Sequence, residues 1–111
     1  MKTNRTTLEQ SKLLLDAGLP EYTSDIKEGK DIFWSTERLL KLLPEKIHPS
    51  EYDDDYEEQI KINIFGDSVK ICYTNEFYGI PNFESTDHNG DICKALVNVM
   101  YKLLRARLVI Y

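Results

Sequence analysis

Residues that do covalent or metal chemistry are scarce in this chain. Its 111 residues hold two histidines, His48 and His88, and two cysteines, Cys72 and Cys93. No CxxC, HxxxH or CxxH spacing links them, so no zinc site is expected. A Cys–His nucleophile pair needs hydrogen-bond reach, and nothing in the spacing of His88 and Cys93 secures it. The five glycines are dispersed and form no phosphate-cradling loop. No serine sits in a nucleophile elbow. The expectation is a protein without enzymatic activity, cofactor or metal. Long apolar runs are missing too: none approaches the ~18 residues of a membrane span. The opening MKTNRTTLEQSKLLL is too polar for a secretory leader, which predicts a cytoplasmic protein with reduced thiols.

Excess charge is confined to one place. The net charge is −5, yet the stretch EYDDDYEE at 51–58 carries six of the 19 acids. Without it, 13 acids face 14 basic residues. The acidity is therefore local, and direct nucleic-acid binding by a generally basic surface is not expected. The run does not fit an EF-hand: counted from Asp53, the sixth residue is Glu58 rather than glycine, and the twelfth is Ile64. It reads as a solvated linker or as an acidic surface made by Glu51, Asp53, Asp54, Asp55, Glu57 and Glu58. Tyr52 and Tyr56, interleaved with the acids, suit a recognition surface.

The length suits a single domain spanning 1–111. Thr7 and Gln10 form a capping box that predicts a helix over Leu8–Ala17, with Leu8, Leu14 and Leu15 facing inward. Gly18 suits its left-handed end, and Pro20 prevents resumption. Residues 20–34 read as an extended connection with a short strand near Ile32 and Phe33. Ser35 then caps a second helix. Trp34 and Leu39 are spaced as a hydrophobic staple, Leu39, Leu40, Leu42 and Leu43 form the buried side, and Pro44 ends it.

The clearest signal is QIKINIFGDSVKICYT. Ile60, Ile62 and Ile64 alternate with polar residues, and Val69, Ile71 and Tyr73 do likewise. Gly66-Asp67 between them suits a two-residue type II′ turn. That loop sets the register: Ile64 opposite Val69, Ile62 opposite Ile71 and Ile60 opposite Tyr73, three apolar pairs on one face. Residues 78–86 can add a third strand, at an edge because Pro81 lacks a donor. The fold class expected is α+β. A small antiparallel sheet, the 59–74 hairpin plus the 78–86 strand, packs against two N-terminal helices and one C-terminal helix.

The last helix, from about Asp91 to Arg107, is apolar over a wide arc. Ile92, Ala95, Leu96, Val99, Met100 and Leu103 make the stripe expected against a sheet. Cys93, Val97, Leu104 and Leu108 form a second apolar set, with Tyr101 at its margin. Burial beneath the first two helices would account for it. So would a homodimer, whose candidate interface is then Val97, Tyr101, Leu104 and Leu108.

Three segments, TTLEQSKLLLDAGL, FWSTERLLKLLP and ICKALVNVMYKLLRARLV, together resemble a set of short uncharacterised proteins of bacterial genomes and their phage or mobile elements. The shared features are a cap, a staple and a closing apolar helix. The resemblance implies a mobile-element origin and carries over no activity, cofactor or site residue. The leading functional expectation is a non-enzymatic protein-interaction module. The alternative is a phage-type acidic decoy that occupies a basic, nucleic-acid-handling protein through residues 51–58.

Overall fold

The computed structural model describes residues 4–48, 57–75, 83–109 and 111. The chain is α+β. In order, it forms α1 (Leu8–Ala17), a 3-10 turn (Glu21–Thr23), β1 (Ile26–Glu28), β2 (Asp31–Phe33), α2 (Thr36–Leu42) and β3 (Lys46–Ile47). Then come β4 (Glu58–Phe65), β5 (Ser68–Thr74), β6 (Phe83–Asp87) and α3 (Ile92–Arg105). Strands β1 and β2 make a small hairpin, and the others an antiparallel sheet in the order β3-β4-β5-β6.

Helix α1 begins and ends as its sequence dictates. Thr7 and Gln10 cap each other reciprocally. At the other end Gly18 has φ +109°, and Leu19 N–H reaches back to Leu14 C=O, so two orphan carbonyls are satisfied. The inward face differs from expectation. Ser11 and Leu14 are buried, while Leu8 and Leu15 are exposed. The reason is Thr6. Its hydroxyl bonds Ser11 Oγ at 2.8 Å, which turns the Ser11 side of the helix inward.

The 20–34 segment is more structured than an extended connection. It contains a 3-10 turn and the β1–β2 hairpin, with Ile32 and Phe33 in β2 as expected. Trp34 is fully buried, and its indole N–H donates to Thr23 Oγ1 at 3.0 Å. Ser35 caps α2 through the Arg38 N–H. Trp34 and Leu39 both reach zero exposure, as a staple requires. Leu43 is buried too, but Leu40 turns out to be exposed.

The β4–β5 register is the expected one at every pair, from Phe65↔Ser68 to Gln59↔Thr74. Gly66 has φ +55° and Asp67 is not left-handed, the sign pattern of a type II′ turn. Strand β6 pairs with β5 as an edge strand over Phe83–Asp87. The first part of the proposed 78–86 strand, 78–82, lies outside the described residues.

Helix α3 packs on β5 and β6, while α1 and α2 pack on α3. The helix is thus a middle layer. Its buried residues, Cys93, Ala95, Leu96, Val97, Val99, Met100, Leu103 and Leu104, need cover on both sides. The core cluster joins them to Leu14, Trp34, Leu39, Ile71 and Tyr73. Of the three helices expected against the sheet, α3 makes the main direct contact, and α1 and α2 stack on α3. A helix about 10 Å across covers roughly two strands spaced about 4.8 Å apart. Strand β4 therefore runs out beyond the helix. Its half of two of the three apolar pairs emerges, with Ile62 40% and Ile64 73% exposed although Ile71 and Val69 opposite them are buried; Ile60 stays partly buried against the core.

Candidate functional site

The candidate interface on α3 is core. Val97 is 0% and Leu104 8% exposed, and Leu108 is packed against the same cluster. Tyr101 is partly buried. Helices α1 and α2 supply the cover that the second apolar set requires, so in the monomer this face is no open docking surface.

The acidic run divides in two. Glu51, Asp53, Asp54 and Asp55 lie outside the described residues, as do Tyr52 and Tyr56. Glu57 and Glu58 belong to the margin of the sheet. Glu57 Oε1 stands 3.4 Å from Lys46 Nζ, and Glu57 C=O accepts from Asn75 Nδ2 at 2.8 Å. Glu58 is fully buried at the start of β4, where it pairs with Ile47 of β3. Reading all six carboxylates as one solvated surface is therefore corrected at Glu58, while Glu57 stays partly exposed. The even-numbered positions of β4 point toward the helical layer, and Glu58 shares that parity with Ile60.

The scarce chemical residues are not assembled. His88 is exposed, with Nδ1 3.5 Å from Ser68 Oγ, whereas Cys93 is fully buried in α3. Both cysteines are unlinked. Burial pushes the Cys93 thiol above its ordinary value, and does the same for Cys72, with Lys70 pulling the other way. Neither is thereby an activated nucleophile. Among the described residues no group of three His, Cys, Asp or Glu is placed to hold a metal ion. Asp87 is a buried carboxylate with a structural task. Its Oδ2 accepts from Asn89 N–H at 3.1 Å and Asp91 N–H at 2.8 Å, which shapes the entry to α3. An open depression of about 570 Å³ beside β1 is lined by Tyr22, Asp25, Ile26 and Ile32, among others. It contains neither histidine nor cysteine.

What stands out is the corner of the sheet made by Lys61–Phe65. Ile62, Ile64 and Phe65 are all exposed, Phe65 at 65%. Strand β3 pairs with β4 only at Gln59 and Glu58. Beyond that, among the described residues, no strand lies beside Lys61–Phe65 on the side away from β5. The hydrogen-bond phase of this edge follows from the turn. A two-residue loop makes the flanking Phe65–Ser68 couple a hydrogen-bonded pair, so odd positions of β4 bond to β5 and even positions point outward. The Ile60 N–H confirms the phase, donating away from β5 to Glu45 C=O at 3.1 Å. Among the described residues nothing claims the outward N–H and C=O groups of Ile62 and Ile64 along this apolar strand. The reverse face of the sheet, to which Phe65 belongs by parity, also carries Lys70 and Glu84, 3.3 Å apart across β5 and β6.

Sequence reasoning gave the pairing of Ile62 and Ile64 but missed their exposure, because which strand a helix covers is a tertiary property. The signal available was the length of β4: eight residues cannot all be flanked by a two-residue neighbour. No family model, no curated protein and no solved structure matches this chain. Among the described residues no helix is long and apolar enough to cross a membrane.

Proposed function

We propose that the chain is a non-enzymatic protein-interaction module whose contact surface is the exposed corner of β4. One observation carries the reading: Ile62, Ile64 and Phe65 are exposed together on a strand whose outer edge is unpaired. A bare apolar edge is a liability that folded proteins ordinarily blunt, so its presence favours use as a contact. Strand addition is a common way for a sheet to bind another chain, with main-chain bonds giving affinity and side chains giving selection. The two buried, unlinked thiols suit a reducing, cytoplasmic setting. The resemblance in the capping and staple segments would place the protein among short products of bacterial genomes and their mobile elements.

A photo-crosslinking amino acid at position 64, in cells producing the chain, tests the reading. Discrete protein adducts are expected from position 64 and not from position 13, where Leu13 is exposed on α1. Equal, diffuse labelling from both positions, or none from 64, would overturn it.

A further inference from the structure

We propose that the occupant of the β4 edge is a second copy of this chain, added antiparallel about a two-fold axis at Asn63 so that the two sheets become one. This deepens the reading just given and rests on it. The argument begins with hydrogen-bond parity. Pairing two antiparallel strands requires that outward-pointing residues meet outward-pointing residues. On β4 those are the even positions, and Ile60 N–H is already committed to Glu45. The open positions are Ile62 and Ile64. A two-fold axis at Asn63 sets Ile62 of one copy against Ile64 of the other, twice, and uses the free N–H and C=O groups of both. Registers centred one residue away, at Ile62 or Ile64, would draw Ile60 or the Gly66 turn into the pairing.

Side chains agree with that register. Ile62 and the second copy's Ile64 share a face, the one on which both α3 helices lie, so each apolar residue left bare by its own helix gains a partner. On the reverse face Lys61 opposes the second copy's Phe65, and the second copy's Asp67 lies on the next diagonal, unlike charge toward Lys61. Residues 61–65 contain no acid. The two Lys61 side chains start about 14 Å apart, beyond the screening length at physiological salt. Such a contact is isologous, closes on itself and consumes the edge, which an open head-to-tail stack would leave available.

The register makes a sharp test. Residue 63 meets itself in a non-hydrogen-bonded pair with Cα atoms about 4.5 Å apart, inside the range a disulfide accepts; residue 61 does not, at about 14 Å. The full chain carrying Cys72→Ala, which removes the nearest native thiol on that face, receives either Asn63→Cys or Lys61→Cys. Under mild oxidation Asn63→Cys should form a covalent dimer about tenfold faster than Lys61→Cys. Sedimentation of the native chain from about 10 µM to 1 mM should show monomer converting to dimer, the range suited to a small interface. Ile64→Lys should remain monomeric throughout with its melting point unchanged, since residue 64 is exposed in the monomer. Equal oxidation rates for the two cysteine variants, or a native chain that stays monomeric across the series, would overturn the self-pairing. If position 64 still crosslinks to a different protein, the broader reading of β4 as a contact surface survives that failure.

Discussion

Thr6 lies two residues before α1, yet it ties three segments together, and Thr6→Val measures how much that tie contributes. The donor sequence can be assigned from the geometry. Trp34 N–H donates to Thr6 Oγ1 at 3.0 Å. Ser11 Oγ donates to Thr7 C=O at 2.9 Å, which uses its only hydrogen, so the 2.8 Å bond between Thr6 and Ser11 must be donated by Thr6. The Thr6 backbone N–H donates to Trp34 C=O at 2.8 Å. A side-chain hydroxyl thus returns the bond that a second backbone carbonyl would supply in an ordinary ladder. Valine has the same shape and neither donates nor accepts. The substitution deletes two hydrogen bonds at a residue 1% exposed and orphans the Trp34 N–H. At about 1 kcal/mol per bond and about 1–2 for the orphaned donor, the loss should be about 3 kcal/mol. With an unfolding entropy of roughly 2.1 cal/mol/K per residue, that lowers Tm by about 13 °C. Urea unfolding followed by Trp34, the only tryptophan, reads it directly. Thr6→Ser should recover most of the loss, and a Thr6→Val/Ser11→Ala cycle should show coupling. A Thr6→Val loss below about 0.5 kcal/mol, with no coupling to Ser11, would refute the assignment of this chain as what joins α1 to Trp34.

Val97→Ala should cost about 2–3 kcal/mol and leave self-association unchanged, because Val97 is core, whereas Ile64→Ala should shift stability by less than about 0.5; urea denaturation and sedimentation separate the two. Arg107 occupies the left-handed C′ position of α3 at φ 58°, with Leu108 N–H returning to Leu103 C=O, so Arg107→Gly should stabilise by about 0.5–1 kcal/mol in thermal unfolding while Arg107→Ala should not. Burial holds Tyr111 up at about 12 and pushes Tyr73 higher still. A raised phenol favours the neutral form in the fold, so its contribution is complete below the unfolded value near 10 and is lost as pH climbs toward and past 12. Phenolate absorbance should show two protons that leave only with cooperative alkaline unfolding, one of them absent from Tyr73→Phe, which also forfeits the 2.6 Å bond to Pro44 C=O.

Local rules carried the sequence reading wherever a single segment decided the outcome. The Thr7–Gln10 box, the Gly18 stop, the Trp34–Leu39 staple and the Gly66-Asp67 turn each depend on residues a few positions apart, and all are found as expected. What sequence left open depended on neighbours far along the chain. Leu8 and Leu15 looked inward by periodicity, but Thr6 and Ser11 turn the other side of α1 to the core. Glu58 looked like the last residue of a solvated run, but β3 encloses it from one side. The resemblance segments have a plain physical role here. Ser11 and Trp34, from two of the three segments, are joined through Thr6, so those residues have a structural task.

The same asymmetry explains why the exposed apolar residues lie on β4 rather than on α3. An amphipathic arc too wide for one sheet announces a need for cover, and α1 and α2 answer it from within the chain. By taking α3 as their floor, however, those two helices leave no helix for the outer half of the sheet. Strand β3 reaches only two residues along β4. The alternation that made the hairpin so readable, isoleucine at 60, 62 and 64, meets apolar partners across the sheet in Tyr73, Ile71 and Val69. Sideways it has none within the described chain. The proposed self-pairing would set that alternation against a second copy of itself and cover the isoleucines that no helix reaches.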